Sequence, residues 1–75
     1  MKIYKITRTD EVGYDDYDSA IVAADSKDVA IRITPGWVNS YGGWPDNLEL
    51  ISVEYIGKAK KGTKTGVILA SYNAG

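Results

Sequence analysis

The segment Tyr17-Asp18-Ser19-Ala20-Ile21-Val22-Ala23-Ala24-Asp25-Ser26-Lys27-Asp28-Val29-Ala30-Ile31-Arg32-Ile33-Thr34-Pro35 decides the fold. Residues 17–24 read as a strand, with Ile21 and Ala23 alternating against Val22 and Ala24, and its small side chains allow a helix to sit close. Asp25 or Ser26 then offers an oxygen to the free amides of a first helical turn, and Asp28 suits the positive end of the helix dipole. Val29, Ala30 and Ile33 share one helical face, and Pro35 ends the helix because proline disfavours helical geometry in the residue before it. A helix of about two to three turns is too short to persist alone, so it must pack on something.

On the N-terminal side, residues 2–9 carry Ile, Tyr and Thr, whose branched or flat side chains suit a pleated surface. Ile3 faces one way and Tyr4 and Ile6 the other, which predicts an interior strand. Residues 10–16 break the pattern with charge and Gly13 and read as a hairpin connection. On the C-terminal side, residues 48–56 predict a strand with Ile51, Val53 and Tyr55 on one face. Residues 57–65 form a lysine-rich turn, and residues 66–72 form a last strand that is apolar on both faces.

The resulting order is β-β-α-β-β in one domain spanning residues 1–75: an α+β fold, a four-stranded antiparallel sheet with one short helix on one face. A spatial order of 2-1-3-4 keeps all neighbours antiparallel and places the first and third strands in the middle. Residues 35–47 contain three glycines and two prolines around Trp37, Tyr41 and Trp44, a loop expected to cover part of the sheet or to pack on itself. With no phenylalanine in the chain, at least one of the two tryptophans is expected to supply core volume.

Composition narrows the chemistry. Nine Lys and Arg against ten Asp and Glu give a net charge of −1, which argues against a generically basic nucleic-acid binder. No cysteine means no disulfide, thiolate metal site or thiol nucleophile, and no histidine removes the commonest general base. Ser19, Ser26, Ser40, Ser52 and Ser71 have no histidine to activate them and no nucleophile elbow, so no enzymatic activity is expected. No cofactor and no metal site are expected either. Residues 20–24 are the longest apolar run, far short of a signal or membrane segment, so a cytoplasmic protein beginning at Met1 is expected.

Three constellations remain. Asp10, Glu11, Asp15, Asp16 and Asp18, interleaved with Tyr14 and Tyr17, make a strongly negative stretch without a basic residue. It reads as a solvated loop, a surface meeting a basic partner, or an incomplete calcium loop; paired acid/base carboxylates lack a cleft in so small a chain. Lys58, Lys60, Lys61 and Lys64 line a turn that lacks the residue order of a phosphate-binding loop but carries enough charge to grip an anion. Trp37, Tyr41 and Trp44 are aromatic anchors of the kind that dominate protein interfaces, or else core volume.

Three stretches resemble small proteins of unassigned function encoded by bacteriophages and prophages: Met1-Lys2-Ile3-Tyr4-Lys5-Ile6-Thr7-Arg8-Thr9-Asp10, Tyr17-Asp18-Ser19-Ala20-Ile21-Val22-Ala23-Ala24, and Gly66-Val67-Ile68-Leu69-Ala70-Ser71-Tyr72-Asn73-Ala74-Gly75. The resemblance implies a phage product acting in the cytoplasm of a host bacterium by binding and blocking a defence protein or ribonucleoprotein complex, as anti-CRISPR proteins do. It carries over no site residues. On that expectation Asp10, Glu11, Tyr14, Asp15, Asp16 and Asp18 meet a basic channel and Trp37, Tyr41 and Trp44 anchor the contact. The alternatives are a nucleic-acid or phosphometabolite binder using the lysine turn, and a homo-oligomeric module pairing through a sheet edge. No membrane partner is expected.

Overall fold

The computed structural model describes residues 1–11, 16–35, 44–45 and 47–73. Strands β1 (Lys2–Arg8), β2 (Asp16–Ala24), β3 (Ile51–Lys58) and β4 (Gly66–Asn73) form one antiparallel sheet, with helix α1 (Lys27–Ile31) between β2 and β3 and a 3-10 turn at Leu48–Leu50 leading into β3. The α+β architecture is the expected one. The strand order is not: it is β3-β1-β2-β4, so β1 and β2 are central and β3 lies at an edge.

The reason lies in the side chains. On β2, Ala20, Val22, Ala23 and Ala24 are all buried, which requires cover on both faces and a neighbour on each side. β3 instead carries Ser52, Glu54 and Lys58, all exposed, and tolerates an edge. Residues 59–65 therefore do not close a hairpin; they cross the end of the sheet from one edge to the other. Three strand spacings are about 14 Å, well within the reach of seven residues. The crossing is fastened over the start of β1, where the Ala59 amide donates to the Met1 carbonyl at 3.0 Å. It turns at Gly62, whose φ of +92° favours a residue without a Cβ.

Helix α1 is shorter than its pattern suggests. The Ser26 hydroxyl oxygen accepts from the Val29 amide at 3.3 Å and caps the start. Its end tightens through bonds from Arg32 to Val29 and from Ile33 to Ala30, a 3-10 spacing that closes the last turn just ahead of Pro35. Ala30 is fully buried, with Ile31 and Ile33 packed beside it, whereas Val29 faces out. Ala30 shares the buried cluster with Ala20 and Ala24, and small residues on β2 let the helix sit close to it. Tyr4, Ile6, Val22, Trp44 and Ile51 complete the core.

Three register shifts shape the sheet. The one between Tyr17 and Ser19 brings Tyr17 opposite Tyr72 and turns its ring onto the core, so that Asp18 occupies the extra position. The helix packs on β3, β2 and β1, and β4 lies beyond its main footprint.

Candidate functional site

Antiparallel pairing sorts the charges by end. Where β1 finishes and β2 begins lie Asp10, Glu11, Asp16 and Asp18, and Glu49 precedes β3 at the same end because Arg8 pairs with Ile51. At the opposite end Lys2 pairs with Lys58, Lys27 follows β2, and the crossing carries Lys60, Lys61 and Lys64, against Asp25 and Asp28. The net charge of −1 thus conceals two ends of opposite sign. A seven-residue strand separates them by about 20 Å, more than twice the roughly 8 Å over which physiological salt screens charge, so each end acts on a partner separately.

Arg8 is the strand cation at the acidic end, and it is turned inward. Its side chain is 9% exposed, and its Nε and one terminal nitrogen donate to the two Asp10 carboxylate oxygens at 2.6 and 2.9 Å. The other terminal nitrogen donates to the Tyr17 carbonyl at 3.3 Å, so the guanidinium ties the end of β1 to β2. The Arg8 hydrogen bonds hold the Asp10 carboxyl below its ordinary value of 3.8, and the opposing effect of partial burial does not prevail. A carboxyl so depressed stabilises the fold above its unfolded value, and the contribution disappears as pH falls below 3.8 and through the folded value. Arg8→Ala is expected to cost about 1–2 kcal/mol at neutral pH, a drop in Tm of roughly 4–16 °C. Thermal melts at neutral pH and at pH 3 check this: the Asp10 share of the loss should shrink in acid.

Of the residues expected to meet a partner, Asp10, Glu11, Asp16 and Asp18 are brought to one end. Glu11 is exposed, Asp10 is spoken for by Arg8, and Asp18 accepts a long hydrogen bond of 3.4 Å from the Ser19 hydroxyl. Tyr14, Asp15, Trp37 and Tyr41 lie outside the described residues. Trp44 is corrected: at 2% exposure it belongs to the core cluster, and its indole is shut away from any partner. It supplies volume that a phenylalanine-free core needs.

Two features escaped the sequence reading. The first is a cleft of about 440 Å³ lined by Lys2, Tyr4, Ser26, Lys27 and Tyr55, floored by an edge-on pair of Tyr4 and Tyr55 rings 5.6 Å apart. Its members come from β1, β3 and the start of α1, so no local motif announces it. The second is β4. Among the described residues it is unpaired on its outer side, and Val67, Ile68 and Leu69 are 42, 50 and 67% exposed. The expected order also leaves the last strand at an edge; what it misses is that the neighbour of that strand is β2 and not β3.

Among the described residues no cluster of His, Cys, Asp and Glu is arranged to hold a metal ion, and no helix is long and apolar enough to cross a membrane. No family profile, no curated protein and no solved structure matches this chain.

Proposed function

We propose that this protein acts by contact and without catalysis, blocking a bacterial defence complex through the acidic end of its sheet. One observation carries the reading: strand register gathers Asp10, Glu11, Asp16, Asp18 and Glu49 at one end, where the strand cation Arg8 is already held by Asp10. An end of that sign fits a channel built for a phosphate backbone, and charge pairing speeds encounter with it. The resemblance to small phage-encoded proteins supplies the setting. Expression of the chain in a bacterium with an active nucleic-acid-targeting defence system should restore phage plaques and co-purify that complex. Changing Asp15, Asp16 and Asp18 together to lysine should abolish both, with the fold checked by circular dichroism. Full inhibition by the triple variant overturns the role of the acidic end.

The cleft favours a second reading, a binder of anionic ligands bearing an apolar or aromatic group. Lys2 and Lys27 flank it, and Lys58 stands directly opposite Lys2. Titration of tyrosine fluorescence with short single-stranded DNA at low salt tests this. Saturable binding that falls steeply with added salt supports it, and a flat response removes it.

A further inference from the structure

The two edges of the sheet are not alike. β3 carries Glu54 and Lys58, charges of the kind that discourage edge-to-edge association, whereas β4 (Gly66-Val67-Ile68-Leu69-Ala70-Ser71-Tyr72-Asn73) carries none. β4 also presents three consecutive exposed aliphatic side chains, and no second strand lies on its outer side among the described residues.

We propose that β4 pairs with β4 of a second copy of this chain, giving an eight-stranded sheet in a two-fold dimer. The charge layout selects a second copy as the occupant. A two-fold axis perpendicular to the sheet makes the two β4 strands antiparallel, so the lysine end of one copy lies beside the acidic end of the other. Gly66, which follows Lys60, Lys61 and Lys64 in the chain, comes alongside the far end of the partner's β4. That far end is flanked by the start of β2, since Asn73 pairs with Asp16. Both ends are satisfied at once, which no one-sided strand donor does. Within the seam no like charges oppose each other, because the strand has none.

The axis is placed by sheet geometry and exposure. Side chains opposite one another in an antiparallel pair point to the same face, so the axis passes through a residue and not between two. Leu69, at 67% the most exposed aliphatic residue of the strand and on the face away from the helix with Ile21, is the residue that gains most by meeting its own copy. Centring there sets the two Leu69 Cβ atoms about 4.5–5.5 Å apart, with Ala70 of each copy beside the register shift at Ile68 of the other.

Sedimentation velocity over a micromolar-to-millimolar series should show a monomer–dimer equilibrium, weakened at least several-fold by raising NaCl from low to molar levels as the opposed ends are screened. Leu69→Lys places two ammonium groups across the axis and should give a monomer at all concentrations, with unchanged circular dichroism because the side chain contributes little to the core. Since the chain has no cysteine, Leu69→Cys should oxidise to a covalent dimer. Ile56→Cys, on the charged edge strand, should do so only slowly. A wild-type chain that stays monomeric at millimolar concentration, whether because the edge awaits a foreign strand or nothing, overturns the proposal. So does a dimer that Leu69→Lys leaves intact, or equal cross-linking of the two cysteine variants.

Discussion

Trp44→Ala should remove a large part of the chain's stability. The total stability of 75 residues is of the order of 4–11 kcal/mol, and removal of a buried tryptophan costs about 3–5 kcal/mol. Trp44 is 2% exposed and belongs to the same buried cluster as Tyr4, Ile6, Val22 and Ile51. The lost contacts are hard to replace, because three members of that cluster, Ala20, Ala24 and Ala30, are alanines with no volume to move into a void. Urea titration followed by circular dichroism measures the outcome. A midpoint unchanged from the wild type would show that the ring contributes nothing to the core, contrary to its burial.

Ile6→Ala is the second large effect expected, at about 2–5 kcal/mol. Ile6 sits at the middle of central strand β1, opposite Ala20 and Val53, and has no exposed surface. Its informative companion is Ile68→Ala. Both substitutions delete the same atoms, but Ile68 is half exposed on edge strand β4, and as a monomer its variant should lose less than about 1 kcal/mol. Equal losses in dilute monomeric protein would contradict the central place of β1 and the edge place of β4, which bury one isoleucine and expose the other.

The same contrast shows what could be read from the residues and what could not. Alternation over residues 2–9 and 17–24, the cap at Ser26 and the stop at Pro35 are local signals, and strands β1 and β2 and helix α1 stand where those signals put them, to within a few residues. Strand order is not local. Residues 57–65 look like a hairpin turn, and nothing in them reveals that the Ala59 amide binds Met1 and that the last strand belongs beside β2. The buried alanines of β2 did contain the answer, since a strand covered on both faces requires a central position. At the site, the five carboxylates of the acidic stretch were evident in the chain, but Asp10 was visible as a contact residue only until Arg8 was seen to hold it. Trp44 had two readings in the sequence, anchor or core, and only packing separates them.

The crossing of the sheet end by residues 59–65 also bears on how the molecule is made. β2 acquires its second neighbour from a strand that begins about 40 residues later, after the helix and β3 have been laid down. At ordinary rates of synthesis the outer edge of β2 therefore waits for several seconds, lined by alanine and valine, before β4 leaves the ribosome to close it. Until that moment the nascent chain carries an open, aliphatic flank, and a chaperone or a neighbouring nascent copy has its best opportunity to bind there.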